Sequence, residues 1–242
     1  MFVDPKKTSF DKFINHNFIT KYLHNNKYNL LNELIKKNFN NQEFSVLDIG
    51  SGLSNFYYKF NNRYKFQYLG IENNKKLHGI SMDNFSKNHN FRLILNDIKN
   101  VLPELKSNDL ILCLDVLEHV NLDLRKEIIS RISQLDFKKF FINVPNEFGP
   151  AILIKNFGSK IINYKRDFEY SFIETIYATL YMEEKLPPHT NKHKNFYWKN
   201  LYFILKEKFD VDIKTNFNNL LPNHFSPTIT FICSKKIEKK FF

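Results

Sequence analysis

Short apolar runs, each with an acidic residue at or next to its end, recur along the first half of the chain. Four of them are separated by more polar stretches, at residues 46–49, 66–72, 91–97 and 109–115. A fifth, at 138–144, is closed by Pro145. Apolar runs of roughly four to eight residues bounded by turn-forming residues are typical of buried strands. The pattern therefore predicts five strands, four of which have an acid at or next to their end.

The segments between these runs have apolar residues at helical spacing, which predicts helices near 54–61, 73–88 and 121–135. Asn121 is a suitable N-cap for the last of these helices. Alternating strands and helices imply a parallel sheet joined by right-handed crossovers. We therefore expect an α/β fold with a doubly wound, mostly parallel seven-stranded sheet and an antiparallel last strand.

Both flanks of this core also show periodic apolar positions. Residues 9–38 are predicted to be helical, with a break near Asn25-Asn26. After the fifth strand, helices are predicted at 151–162 and 168–182, the second ending before Pro187-Pro188. This insertion follows the carboxyl end of a strand, where open α/β sheets bind ligands, so it is predicted to be a substrate lid. The remaining predicted elements are a helix over 201–209 and strands at 211–215 and 227–233.

A loop with two glycines follows the first strand. Gly50 and Gly52 flank Ser51, and Asp48 lies two residues before the first glycine. Glycines allow a sharp turn and close approach of the backbone to a ligand, and the following helix offers free N–H groups. A carboxylate at Asp48 would repel the pyrophosphate of a dinucleotide. It suits a cationic, amine-bearing ligand, and S-adenosylmethionine is such a ligand.

The acids at the next two strand ends fit the rest of such a nucleoside. Glu72 lies 24 positions after Asp48 (72 − 48), where a carboxylate can accept hydrogen bonds from both ribose hydroxyls. Asp97 could accept a hydrogen bond from an adenine amino group, with Ile98 packing against the ring. Asp115 ends the fourth strand and begins the segment Asp115-Val116-Leu117-Glu118-His119-Val120.

With these motifs in place, the chain resembles a class I S-adenosylmethionine-dependent methyltransferase, closely over residues 44–145 and more loosely over 196–234. The segment after the fourth strand is similar to that of the broad group that methylates small molecules, lipids and saccharides. The departure from the family pattern is Ser54 at the third glycine position. The resemblance implies a Rossmann-like methyltransferase fold and these cofactor-binding residues: Asp48, Gly50, Ser51, Gly52, Glu72, Asn73, Asp97, Ile98, Asp115 and Val116.

We expect one methyltransferase domain over residues 1–242. Its predicted parts are N-terminal helices at 1–40, the cofactor-binding core at 44–145, the lid insertion at 146–195, the C-terminal helix and last strands at 196–234, and a basic tail at 235–242.

The formal net charge of +11 raises the question of nucleic acid as a partner. The lysines are spread along the whole chain among asparagines, phenylalanines and isoleucines, a composition that an AT-rich genome imposes on any protein. Nucleic acid is therefore not favoured as a partner, and the basic tail is expected to be solvated. It could touch an acidic membrane surface.

Cys113 and Cys233 both fall inside apolar strand candidates, which indicates buried, reduced thiols and a cytoplasmic location. No stretch approaches the ~20 apolar residues of a membrane span. The N-terminus lacks the apolar core of a signal peptide. The oligomeric state is left open.

Methyl transfer from a sulfonium needs a base only when the acceptor must lose a proton. His119 is the first candidate, because imidazole takes up protons near neutrality; the alternative is a capping histidine or one that orients Glu118. His193 resembles, by its position, a residue that closes the site from the lid side. His189 and Asn146 are candidate substrate contacts. His189 and His193 also have metal-ligand spacing, but the neighbouring prolines oppose a helix and no third ligand is near, so no metal is predicted.

Two motifs that the sequence lacks exclude some classes of methyl acceptor. No Asn-Pro-Pro-aromatic segment follows the fourth strand, and no Pro-Cys nucleophile is present, which opposes methylation of nucleic-acid bases. We expect in-line methyl transfer to a small-molecule acceptor, with saccharides or lipid-linked precursors favoured by the tyrosine-rich insertion. The alternatives are a non-catalytic partner subunit that binds S-adenosylmethionine and, on charge alone, an RNA methyltransferase.

Overall fold

The computed structural model describes residues 18–39, 42–161, 170–189, 194–215 and 222–236. Within these ranges the chain forms one seven-stranded sheet in the order β3-β2-β1-β4-β5-β7-β6. The strands are β1 Phe44–Ile49, β2 Phe66–Glu72, β3 Phe91–Leu95, β4 Leu110–Leu114, β5 Lys139–Pro145, β6 Phe209–Thr215 and β7 Thr228–Lys235. The first five strands are parallel, and β7 runs antiparallel to both β5 and β6. The predicted fold class is confirmed.

Helices cover both faces of this sheet, which is why its central strands are apolar on both sides. They are α1 Phe18–Phe39, α2 Asn55–Phe60, α3 Lys75–Phe85, α4 Ile98–Val101, α5 Leu122–Gln134, α6 Pro150–Ile161, α7 Phe172–Thr179 and α8 Trp198–Lys208. Asn121 caps α5 as predicted, its side chain accepting a hydrogen bond from the Leu124 N–H at 2.9 Å. None of the helices described is both long and apolar enough to cross a membrane.

Two hydrophobic clusters form the core, one on each face of the sheet. One packs α5 and α8 against the sheet and includes the buried Cys113 and Cys233 thiols. The other packs α1, α2 and α3 against β1, β2 and β3 and is rich in aromatic rings. Since both faces are sealed, the free ends of the strands are left as the place where polar groups can meet a ligand.

The predicted break near Asn25-Asn26 is wrong, because α1 runs without interruption from Phe18 to Phe39. Asparagine lowers helix stability by only roughly half a kcal/mol, which tertiary contacts readily outweigh. Asn26 is buried, and the Asn25 side chain accepts a hydrogen bond from the Lys59 ammonium at 3.3 Å. Packing thus holds the helix through this pair.

The insertion after β5 forms α6 and α7, as predicted, but large apolar side chains of α7 are exposed. Phe172 is 77% exposed and Ile173 is 59% exposed, whereas Thr175 and Ala178 are buried. Tyr170 packs with Phe148, Ile152, Ala178 and Leu186 in a small separate cluster. The side of α7 that packs against the rest of the protein is therefore the side that carries its small residues.

Candidate functional site

A cavity of about 1170 Å³ opens at the carboxyl ends of β1, β2, β3 and β4. Its walls include every residue predicted to bind the cofactor, together with His119: Asp48, Gly50, Ser51, Gly52, Glu72, Asn73, Asp97, Ile98, Asp115 and Val116. Parallel pairing explains the convergence, because strands that run in register deliver their end residues to one edge of the sheet.

The glycine loop at the end of β1 is held by β2. The N–H groups of Gly50 and Ser51 both donate to the carbonyl of Ile71, at 2.9 and 3.0 Å. Gly50 has φ 68° and Gly52 has φ 57°, in the left-handed region that favours glycine. Ser54 also lies in this region, with φ 54°, so the third glycine position keeps its backbone shape without glycine.

Gly50→Ala and Gly52→Ala are expected to differ. A Cβ on Gly50 would overlap the Val116 side chain, whereas a Cβ on Gly52 meets nothing within 4 Å. Gly52→Ala should therefore cost only the backbone strain, about 1 kcal/mol of unfolding free energy. Gly50→Ala should add the cost of overpacking against Val116 and lose about 2–4 kcal/mol. Urea unfolding of both variants measures this difference; equal losses would mean that Val116 moves aside freely.

Glu72 joins the glycine loop to the start of α3. One carboxylate oxygen accepts from the Gly52 N–H at 2.7 Å and the other accepts from the Asn74 N–H at 2.7 Å. Asn74 in turn caps α3 through the Lys76 and Leu77 N–H groups. The carboxylate is buried at the cavity wall. Each of its oxygens keeps a lone pair for a further donor.

Asp97 and Ile98 form the wall at the end of β3. The Asp97 side chain caps α4 by accepting from the Lys99 N–H at 2.9 Å, and its own N–H donates to Asn96. Ile98 is buried beside it. This corner therefore offers one acceptor group next to an apolar surface, a combination that suits a heteroaromatic ring with an exocyclic amine.

Asp48 lies in the most enclosed part of the cavity. It is buried and accepts a hydrogen bond from the Tyr68 hydroxyl at 2.8 Å. Burial raises the pKa of Asp48 to about 7, an effect that the Tyr68 hydrogen bond and the charge of Lys27 partly offset. A cationic ligand at this position would therefore favour the ionised carboxylate.

Lys27 of α1, which the sequence analysis did not single out, also lines the cavity. Its ammonium is buried and forms an ion pair with the carboxylate of Asp115, at the end of β4. Burial alone would lower the pKa of Lys27, but Asp115 raises it above its ordinary value, so the ammonium stays charged. Asp115 has φ 56°, a left-handed backbone that turns the chain sharply after β4.

His119 ends the short 3₁₀ turn Leu117–His119 that follows this bend. Its side chain is 46% exposed at the cavity, and its Nε2 lies 4.0 Å from the buried Glu118 carboxylate. Burial, followed by the charge of Asp115, raises the pKa of Glu118 well above its usual range. Arg125 fixes the turn from below, donating to the carbonyls of Leu117 and Val120 at 2.9 and 3.0 Å.

Two of the other three predicted site residues do not join this group. Asn146 is fully buried, and its amide donates to the carbonyl of Ser226 at 3.0 Å while its oxygen accepts from the Phe148 N–H. His189 bonds the carbonyl of Lys194 at 3.1 Å and lies against the Phe196 ring, away from the cavity lining. His193 lies outside the described residues.

The insertion occupies the carboxyl edge of the sheet, but next to the cavity. It follows β5 directly, and α6 contacts the turn Asn223–Phe225 that leads into β7. None of its described residues lines the cavity. In the described part of the chain, α1 covers the site through Lys27 and Tyr28. The lid role of the insertion stays a prediction.

Part of the chain is similar in sequence to a known protein family. Residues 46–135 match a family model described as a methyltransferase domain. Comparison with curated proteins gives no match.

Three solved structures illustrate the fold. An S-adenosylmethionine-dependent methyltransferase from Clostridium acetobutylicum ATCC 824 is 15% identical, with 94% of this chain and 96% of that chain covered and a TM-score of 0.61. Magnesium protoporphyrin IX methyltransferase (ChlM) from Synechocystis PCC 6803, with bound S-adenosylhomocysteine (SAH), is 14% identical, with 96% of each chain covered and a TM-score of 0.57. The methyltransferase domain of bacterial CtHen1 is 12% identical, with 88% of this chain and 99% of that chain covered and a TM-score of 0.60. At these identities the likeness is one of fold. The chain therefore contains a match to a methyltransferase domain over residues 46–135, on a fold that it shares with solved S-adenosylmethionine-dependent methyltransferases.

Proposed function

We propose that this protein methylates a small-molecule acceptor that enters the cavity on the side of Tyr28 and His119. The observation that carries the proposal is the charge of the cavity wall. Asp48, Glu72, Asp97 and Asp115 line it. Two lysines of the described residues also line the cavity. Lys27 is paired with Asp115, and Lys76 is exposed. A polynucleotide needs a cationic track for its phosphates, whereas a compact neutral or cationic acceptor does not.

The residues around the cavity fit the cofactor, which when bound supplies an electrophilic methyl group on sulfur. Glu72 and Asn73 would hold the ribose, since the Glu72 oxygens retain acceptor capacity. Asp97 and Ile98 would hold the adenine. Asp48 would pair with the ammonium group of the methionine portion, with Gly50, Ser51 and Gly52 forming the wall beside it and Asp115 and Val116 the floor.

His119 is the residue best placed to take a proton from the acceptor. It is half-exposed at the cavity, next to a turn that Arg125 fixes to α5. Positioning of an acceptor oxygen or nitrogen against the bound cofactor is the larger part of catalysis in such a reaction. Lys27 keeps its charge and therefore acts as an electrostatic partner of Asp115, not as a base.

Within the small-molecule class, saccharides and lipid-linked precursors are proposed from the Asp115–Val120 segment. The tyrosines of the insertion give this choice little support. Tyr170 is buried, and Tyr181 packs against Phe148, so neither lines the cavity. An RNA acceptor is the second candidate, because the fold is shared with the small RNA methyltransferase HEN1.

Incubation with S-adenosylmethionine labelled at the methyl group distinguishes these acceptors. Equal portions of a small-metabolite fraction, a lipid extract and total RNA would be offered to the protein. We expect label in the metabolite or lipid fraction. Label confined to RNA would overturn the proposal.

Glu72→Ala tests the placement of the ribose. The variant should bind SAH more weakly by about 1.5–3 kcal/mol, roughly 10- to 150-fold, the range for hydrogen bonds to a charged group. Titration calorimetry against wild type measures this loss. Glu43→Gln serves as the control, because among the described residues this carboxylate accepts its hydrogen bond from the exposed Gln67 amide. Unchanged SAH affinity in Glu72→Ala would contradict the placement.

A further inference from the structure

One face of β2 connects the aromatic core to the cavity. Tyr68, Gly70 and Glu72 alternate along this face, and Asp48 of β1 is paired with Gly70. A Cβ on Gly70 would lie 2.6 Å from the Leu93 side chain and 3.1 Å from both the Tyr68 ring and the Ser51 hydroxyl. Because position 70 has no side chain, the Tyr68 ring can extend past it and place its hydroxyl on Asp48.

The Tyr68 ring is fixed by its neighbours. It stacks on Phe91 with ring centroids 5.3 Å apart and 9° between the planes, and it contacts Tyr57 at 5.3 Å. Only 2% of its surface is exposed. A ring packed in this way is held in place, so its hydroxyl marks a fixed point beside Asp48, with the Ser51 and Ser54 hydroxyls next to it.

The proton of this pair belongs to Tyr68. Burial and the neighbouring Asp48 charge hold the pKa of Tyr68 well above its usual range, so the hydroxyl donates and the carboxylate accepts. Glu72 from β2 raises the pKa of Asp48, and Lys27 from α1 lowers it. Cys113 of β4 stays a neutral thiol, because burial holds its pKa well above its ordinary value.

We propose that Tyr68 is a positioning residue for cofactor binding: it holds one oxygen of Asp48 so that the other faces the ammonium group of the methionine portion. The inference rests on the proposed role of Asp48 as the partner of that ammonium. It assigns a function to a core residue that does not itself line the cavity.

The proposal has a consequence for pH. An ammonium pairs with Asp48 only when the carboxyl is ionised, and its pKa is raised to about 7. SAH affinity of the wild-type protein should therefore increase between pH 6 and pH 8. Removing the Tyr68 donor takes away a bond to the ionised form, so the midpoint of this increase should move to higher pH.

The experiment compares Tyr68→Phe with Tyr57→Phe. Tyr57 is a matched control, because it is equally buried in the same cluster and its hydroxyl bonds Asn88 and Asn90, at 2.9 and 2.8 Å, away from Asp48. SAH affinity is titrated by calorimetry from pH 6 to pH 8.5, and unfolding of the unliganded proteins is followed at the same pH values.

We expect Tyr68→Phe to bind SAH roughly tenfold more weakly at pH 7 and to show the raised midpoint. Tyr57→Phe should keep the wild-type affinity and midpoint, even if both variants lose stability. Equal pH profiles for the two variants and wild type would overturn the inference. If wild type itself shows no rise in affinity with pH, the role of Asp48 in the proposed function fails as well, which separates the two outcomes.

Discussion

His119→Ala is expected to lower turnover by about 10²–10⁴-fold, the usual contribution of a positioned general base, while SAH affinity stays close to that of wild type. The imidazole is 46% exposed at the cavity surface, and Arg125 holds the turn that carries it through backbone carbonyls. The variant should therefore fold normally. Turnover is followed as SAH formation with the acceptor found by labelling.

A structural role for His119 predicts a different result. If this side chain mainly orients Glu118, His119→Ala should lower the melting temperature and weaken SAH binding together. His78→Ala is the control, since His78 lies on α3 next to cavity residues but does not line the cavity. A turnover loss below tenfold with unchanged SAH affinity would indicate an acceptor that needs no base.

Lys27→Met is expected to destabilise the protein by about 2–4 kcal/mol at pH 8, toward the lower part of the range for breaking a buried ion pair. The lower value applies because the Asp115 side chain is 33% exposed. Methionine keeps the length and packing of lysine but leaves Asp115 beside the buried Glu118 without the neighbouring cation. Both carboxyls then favour their protonated forms in the folded state.

The pH dependence of this loss has a defined sign. A carboxyl whose folded pKa is raised contributes stability at low pH and loses it as pH increases through that value. The deficit of Lys27→Met relative to wild type should thus be larger at pH 8 than at pH 5.5, as measured by urea unfolding. Lys36→Met, on the exposed side of the same helix, should show little loss at either pH. Adding Asp115→Asn to Lys27→Met should restore stability, and failure to do so would contradict the pairing.

Several cavity-lining residues could be predicted from the sequence. Buried strands appear there as apolar runs, and the carboxyl ends of parallel strands meet at one edge of the sheet. Asp48, Glu72, Asp97 and Asp115 each follow from this local rule. Lys27 does not, since its partner is 88 residues away and depends on how α1 packs over the strand ends.

Other differences have the same physical origin. Tyr68 looks like an ordinary strand residue, and its contact with Asp48 depends on the space left by Gly70. Asn146 follows a strand end, as a substrate contact should. Its side-chain amide instead donates to a backbone carbonyl just before β7, 80 residues later in the sequence. In each case the deciding neighbour is distant in sequence, and no local pattern records it.

The position of β7 between β5 and β6 has a consequence for folding during translation. β5 is complete at Pro145, but its second neighbour begins at Thr228, 83 positions later (228 − 145). At the roughly 5–20 residues per second of synthesis, this interval lasts about 4–17 s. During that time β5 can pair with β4, but the other edge of Phe140-Phe141-Ile142 has no strand beside it. The nascent chain should therefore be most prone to aggregation, and most dependent on chaperones, while residues 146–227 are being translated.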